Sequence, residues 1–379
     1  MNNNILIFLG TNYRQDPPQI EFFLPEYLSQ TRKIYCFEYP RIINLINLLL
    51  GKNKLLENIN RNLSVYRSFA LLPFGRTFKF INSFNHRLNF SIFNKQAKWD
   101  CRDFTVITFT PELSLVDFKN FPRKTFYHIL DNYTSLPWWK NILAERQFNH
   151  LEKNLLENTG EIIVVSETLY KKYSKTGKKI HLFRTPADFT GTYFKSEKIP
   201  PEMKTLKKPV AGFIGTMFEF KIDISLLKKL IGENPDITFV FLGKLKFRYR
   251  KNFRLVNNRT NSFYLGYVKE SRLPDFISNF DAGIIPYRTD SYGQFAWPVK
   301  IMQFLALGIP VISTPLPAVQ YLADKKLIYT ASTSDDFITL LKSKIGSSSK
   351  LSIRNKRIKE ALKNSWSGRI GEYLKIISD

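Results

Sequence analysis

Short, almost uninterrupted apolar runs alternate with longer amphipathic stretches along this chain, and the whole alternation occurs twice. The first series runs through Ile5–Leu9, Lys33–Phe37, Phe104–Phe109, Thr125–Leu130 and Ile162–Val165, with helical periodicity over Ile20–Ser29 and Trp139–Leu156. The second runs through Val210–Ile214, Thr238–Leu242, Phe263–Gly266, Ala282–Ile285 and Pro310–Ser313, with helices at Ile224–Leu230, Ser271–Phe280 and Pro298–Leu307. A strand that is apolar on both faces must be covered on both, and helices between such strands cover them when the sheet is parallel. The expected fold is therefore α/β, with two Rossmann-like, doubly wound parallel-sheet domains. A length of 379 residues suits two such cores. The polar, Pro-containing stretch Lys195–Lys208 puts the linker near 190–208. The expected division is 1–190, 191–365, and a closing helix over 366–379 that packs back on the first domain.

Several classes are set aside at this stage. Apolar residues make up 44% of the chain, which argues against disorder. Cys36 and Cys101 stand far apart in no CxxC pattern, so neither a disulfide framework nor a zinc site is expected, and a reducing compartment fits. The start MNNNILIFLG reads as a first buried strand rather than a signal peptide. No apolar run approaches the ~20 residues that cross a bilayer, so a soluble or peripheral protein is expected.

The charge balance is the compositional outlier: 57 Lys plus Arg against 32 Asp plus Glu, a formal +25. Such an excess favours an anionic partner, whether phosphorylated substrate, anionic membrane or nucleic acid, or else reflects a generally basic proteome. Within 41–100 basic and apolar residues intermingle with almost no acid. That segment either lies on a membrane surface or forms a pair of helices packed on the sheet. The tract GKLKFRYRKNFRLVNNR, 243–259, has seven basic residues among aromatics. It reads as a nucleic-acid surface, a contact for membrane or lipid diphosphate, or a solvated hairpin.

The best organised stretch is WPVKIMQFLALGIPVISTPLPAV, 297–319. Pro298 suits the first turn of a helix, since it has no N–H to lose. Lys300 and Gln303, three apart, share one face of that helix. Ligands of open α/β sheets bind beyond the carboxyl ends of the strands, where helix N-termini point outward. An anionic group there meets the helix dipole and a lysine; otherwise Lys300 is merely solvated and Gln303 caps a neighbouring loop.

This run closely resembles the donor-contacting motif Pro-x-Lys-x-x-Glu-(Tyr/Phe)-x-Ala-x-Gly-x-Pro-Val of glycosyltransferases with the GT-B fold, in family 4 of retaining enzymes. GFIGTMFEFKIDISLL (212–227), NPDITFVFLG (234–243) and FYLGYVKESRLPDFISNFDAGIIPY (263–287) resemble the strands and helices that precede it there. TFYHILDNYTSLP (125–137), EIIVVSETLYKKY (161–173) and NSWSGRIGEYLKII (364–377) resemble a teichuronic-acid or capsule-type subgroup. The resemblance implies two domains facing a cleft and a nucleotide-sugar donor held by the second domain. It also implies a retaining, metal-independent transfer that needs no cofactor.

Carried over by position, it places the donor on Gly215, Thr216, Lys221, Trp297, Pro298, Lys300 and Gln303, with Lys221 and Asp131 as catalytic candidates. Three positions depart from the pattern. Thr216 stands where an Arg follows the glycine, and the two donor-contacting glutamates fall on Phe295 and Gln303. The region TFTPEL, 108–113, holds no counterpart of the family's histidine. Asp131 either orients a sugar hydroxyl or is a turn aspartate bonded to its own backbone. His128 reads as a core residue. Trp138 and Trp139 either stack on a sugar or pack beneath a loop, and Trp297 is placed to line the cleft.

The function expected is transfer of a sugar from a nucleotide donor to a lipid-linked or polysaccharide acceptor in surface-glycan synthesis. The expected place of action is the cytoplasmic face of an anionic membrane, with nucleic acid not the expected partner. The alternatives are a nucleotide-sugar epimerase on the same fold, and a non-catalytic relative that binds sugar nucleotide, glycan or nucleic acid.

Overall fold

Every strand of the first sheet but one runs in the same direction, as both-face apolar strands require. The strands are β1 (Asn4–Phe8), β2 (Lys33–Phe37), β3 (Leu56–Asn58), β4 (Leu63–Tyr66), β5 (Phe104–Thr108), β6 (Thr125–Ile129), β7 (Glu161–Val164) and β8 (Lys179–Leu182). They lie in the order β3-β4-β2-β1-β5-β6-β7-β8, and only the edge strand β3 is antiparallel to its neighbour. The second sheet is wholly parallel: β9 (Val210–Ile214), β10 (Thr238–Leu242), β11 (Ser262–Gly266), β12 (Ala282–Ile285), β13 (Val311–Ser313) and β14 (Tyr329–Thr330), in the order β11-β10-β9-β12-β13-β14. This computed structural model describes residues 4–13, 19–97, 104–116, 124–135, 142–189, 198–246, 253–254, 256, 259–290, 292–345 and 351–378. The chain divides into two compact units, Met1–Arg184 with Ile370–Asp379, and Thr185–Arg369.

The helices of the first unit include α1 (Ile20–Leu28), α2 (Ile42–Leu49), α3 (Lys79–Ala97), α4 (Ile142–Asn158) and α5 (Glu167–Tyr173). In the second unit lie α6 (Ile224–Gly232), α7 (Leu273–Ile277), α8 (Lys300–Ala306), α9 (Gln320–Asp324), α10 (Ser334–Lys344) and α11 (Leu351–Lys363), followed by α12 (Trp366–Ser378). Within the first unit Tyr373 of α12 is fully buried, its ring 4.9 Å from Phe183 and its hydroxyl 3.1 Å from His128 Nδ1. His128 itself is a core residue, and burial lowers its pKa to about 3, which keeps the imidazole neutral.

The segment 41–100, read from sequence either as a membrane-surface stretch or as a pair of helices on the sheet, holds two helices with strands between them. Between α2 and α3 it folds into the β3–β4 hairpin, which joins the sheet through β4 beside β2. The strands LEN and LSVY are too short and polar to stand out as runs. They are tied together at one end: Arg67, just after the second strand, pairs with Glu57 of the first and reaches buried Glu38 at 3.1 Å.

Two glycines set the second unit's geometry. A Cβ on Gly283 of β12 would meet the Phe304 ring at 2.7 Å, so only glycine lets α8 lie this close to the strand. A Cβ on Gly243, which has φ 135°, would meet the Gly215 carbonyl oxygen at 2.1 Å. The loops after β9 and β10 therefore touch backbone to backbone.

Candidate functional site

The donor residues expected from sequence fall at the carboxyl edge of the second sheet, on two loops and one helix. Strand β9 ends at Ile214, and the loop beyond it is laced to its neighbour: Gly215 N donates to Leu242 O at 2.9 Å and Met217 N to Lys244 O at 2.9 Å. Between these two anchors the Thr216 N–H meets no acceptor among the described residues. Lys221 follows, fixed through its backbone, which accepts from Arg288 N at 2.9 Å, and through the bridge between Ile222 and Tyr287. Its ammonium lies 4.6 Å from the Tyr287 ring and 6.0 Å from that of Tyr292. Two aromatic faces thus flank the charge. Asp223 then caps α6, accepting from Ser225 N and Leu226 N at 2.9 and 3.0 Å.

Helix α8 carries the second group. Phe304 packs toward β12 and lies 6.3 Å from Phe280. Gly308 ends the helix with φ 76°, and buried Arg357 binds its carbonyl at 3.2 Å. The helix starts two residues later than the sequence suggested. The N–H groups of Val299, Ile301 and Met302 are already bonded to the carbonyls of Trp297, Pro298 and Val299 at 3.0 Å each. An anion here would meet side chains and, of the first-turn N–H groups, that of Lys300; Pro298 is buried ahead of the helix.

Lys300 and Gln303 do share a face, and what meets them is a residue the sequence reading did not single out. Glu270, in the 3-10 turn after β11, sits with Oε1 3.5 Å from Lys300 Nζ and accepts from Gln303 Nε2 at 2.5 Å. Gln303 is only 3% exposed, and its Oε1 has no partner among the described residues. The amide is thus oriented: its donor side is fixed on a carboxylate, and its acceptor oxygen is left over. A carboxylate stands within this site after all, brought by a different strand.

Other candidates divide. Trp297 is largely buried; its Nε1 donates to Thr185 O at 2.8 Å and its ring lies 6.1 Å from Tyr321. The indole is an anchor for the segment before α8 rather than an open stacking face, because its polar edge is engaged. Asp131 follows β6 in the first unit and accepts from Asn132 N at 2.8 Å, the geometry of a turn aspartate. Asn132 in turn accepts from Lys172 Nζ at 2.7 Å. Trp138, Trp139, Cys101 and part of the basic tract 243–259 lie outside the described residues. Among those residues no group of three or more His, Cys, Asp or Glu is placed to hold a metal ion, and no helix is long and apolar enough to cross a membrane.

With this geometry in hand, the likenesses to known proteins fall into one class. Two parallel-sheet α/β units with the candidate residues at the carboxyl strand ends define the GT-B fold. The chain aligns over 99% of its length with sucrose-phosphate synthase of Thermosynechococcus elongatus, at a TM-score of 0.73 and 11% identity, covering 99% of that chain. It aligns with Anabaena HepE, solved with UDP and glucose, over 98% of this chain and 99% of that one, at a TM-score of 0.66 and 12% identity. In sequence, the family Glycosyl transferases group 1 matches residues 208–343. Over 248 residues the chain is 25% identical to the Bacillus subtilis protein TuaH, named for teichuronic acid biosynthesis; the match covers 62% of each protein. These likenesses show the GT-B fold for the chain and a glycosyltransferase family match for residues 208–343.

Proposed function

We propose that the protein transfers a sugar from a nucleotide-sugar donor to an acceptor in the synthesis of a cell-surface glycan. The observation that carries this reading is the cluster at the carboxyl edge of the second sheet. Two lysines, a backbone N–H without an acceptor and an oriented amide lie on elements that the sequence pattern ties to donor binding.

Breaking the bond between the anomeric carbon and the donor phosphate leaves its electron pair on the phosphate oxygen and positive charge on the sugar ring. Fixed cations and N–H dipoles aimed at the phosphate lower that barrier most. Lys221 and Lys300 supply the cations and Thr216 the N–H. The close approach of Gly215 and Gly243 brings two backbones together there, with no side chain between them. Gln303 Oε1 and the carboxylate of Glu270 are acceptors for sugar or ribose hydroxyls. Glu270 also limits the local positive charge, so a diphosphate is attracted without being held after the transfer. The new bond forms from the acceptor hydroxyl to the anomeric carbon. In a retaining, metal-independent reaction the hydroxyl proton passes to the departing phosphate, so no separate base is required. Asp131 in the first unit would orient the acceptor or stabilise the ring cation.

The finer expectation is a lipid-linked acceptor met at an anionic membrane surface. The net charge of +25 and the basic, acid-poor segment 41–100 support it. The test is a panel of nucleotide sugars incubated with the protein, with and without lipid extract, in which released nucleoside diphosphate is measured. Release stimulated by the extract supports the transfer. Binding of a nucleotide sugar with no release under any condition would instead identify a non-catalytic sugar-nucleotide binder.

A further inference from the structure

Helix α2 is inside out. Its one fully buried side chain is polar, while Ile42, Ile43, Ile46 and Leu49, with Leu50 just beyond, are exposed, Leu49 by 79%. Spacings of three, four and seven residues put these five on one stripe. Asn44, 3% exposed, points the other way and donates to Ser68 O at 2.7 Å and to buried Glu38 at 3.3 Å. A soluble helix normally covers its aliphatic stripe, so an uncovered one marks a contact surface.

The stripe continues across neighbouring elements of the same unit. Arg41, just before α2, pairs with Phe69, and the chain passes on to exposed Leu71 and Leu72. The N–H groups of these two leucines are fixed by Asn85 of α3. Phe74 follows with φ 65°, a backbone conformation that is costly for a bulky side chain. Its ring is nevertheless 70% exposed, as is that of Phe80. Strain that presents an aromatic ring to water is not explained by packing within the chain.

Charge identifies the occupant. Residues 39–97 hold nine Lys or Arg and a single acid, Glu57, which is already paired with Arg67. Arg41 stands at one end of the α2 stripe and Lys52 and Lys54 at the other, while Arg76 and Lys79 lie between the exposed phenylalanines. Apolar side chains flanked by bases and free of acids suit acyl chains beneath anionic headgroups. A basic protein surface with exposed isoleucines has no such complement in a second copy of itself, which would bring like charges together.

We propose that this face of the first unit, α2 with Leu71–Phe80, docks on an anionic lipid surface. It inserts its isoleucines and phenylalanines while Lys52, Lys54, Arg76 and Lys79 meet the headgroups. The inference deepens the reading of a membrane-borne acceptor but rests on no step of the sugar chemistry.

The test is co-sedimentation of the whole protein with phosphatidylglycerol vesicles and with phosphatidylcholine vesicles. Binding to the first should exceed binding to the second and weaken with salt. Ile43→Ser with Ile46→Ser should lower the partition coefficient by roughly tenfold or more. Lys52→Gln with Lys54→Gln should lower it about fivefold per charge at low salt. Leu351→Ser, which removes an exposed leucine of the second unit, should leave it unchanged. Equal partition of the Ile variant and the wild type would overturn the proposal, and so would self-association through this face without lipid binding. Donor turnover measured without lipid keeps the two readings separate. A protein that binds vesicles as described but releases no nucleoside diphosphate leaves this inference standing and removes the proposed activity.

Discussion

Helices α2 and α8 are both short and largely apolar, yet they place their apolar residues in opposite settings. In α8 the apolar side chains are buried together with Gln303, and Glu270 meets that amide and Lys300 at the helix start. In α2 the polar Asn44 is the inward residue and the aliphatic stripe is left uncovered. Composition alone does not separate them. What separates them is the carboxylate each finds: Glu270 across the site for α8, and Glu38 beneath the sheet edge for α2. A polar group is buried where a partner waits for it, and the apolar residues take the remaining face.

The largest expected effect sharpens the α8 side. Lys221→Ala and Lys300→Ala should each lower nucleoside diphosphate release roughly 10²–10³-fold, the usual cost of removing a fixed charge at the reacting phosphate. Next, α1 offers an exception that can break the rule. Glu21 is buried, and its only partner among the described residues is its own backbone; burial raises its pKa to about 7. A carboxyl with a raised folded pKa favours the fold while protonated. Its cost is absent below about 4.5, grows as pH rises, and is complete above about 7. At most ~3 kcal/mol of stability should be lost over that window. Glu21→Gln should flatten the dependence in denaturant titrations at several pH values. An unchanged slope would show that Glu21 has a charged partner.

On the α2 side, Asn44→Leu should cost about 2 kcal/mol, because Glu38 and the Ser68 carbonyl lose a donor in a buried place. Ile46→Ser on the opposite face should stay within about 0.5 kcal/mol of the wild type. Thermal unfolding compares the two, and a reversed order would mean that the stripe is covered in solution. The smallest effect concerns the Glu270–Gln303 pair. Gln303→Glu sets two carboxylates against each other and should weaken donor binding about tenfold. Adding Glu270→Gln restores one acid and one amide, and should recover most of that loss. Failure of this exchange would leave Glu270 as packing only.

Much of the fold could be read from the chain because its central strands are apolar on both faces: VAGFI, TFVFL and AGII are unambiguous runs. The edges were hidden for the opposite reason. Strands β3 and β8 are short and carry Glu57, Lys179 and His181, as edge strands open to water do. In the site, Lys300 and Gln303 were readable from spacing within one helix. Glu270 was not, since its contact with Gln303 spans 33 residues and depends on where the crossover after β11 delivers its turn. The run Ile42–Leu50 was visible as apolar, but only Asn44 and its partners reveal which way that helix faces.

Donor binding by α8 is the central assignment. Calorimetric titration of the protein with the nucleoside diphosphate released from its donor tests this directly, with Lys300→Ala and Leu351→Ser alongside. Lys300→Ala should weaken binding at least about tenfold, the value of one well-placed charge-assisted contact, while Leu351→Ser binds as the wild type does. Equal affinity for all three would contradict the assignment and place the donor elsewhere on the chain.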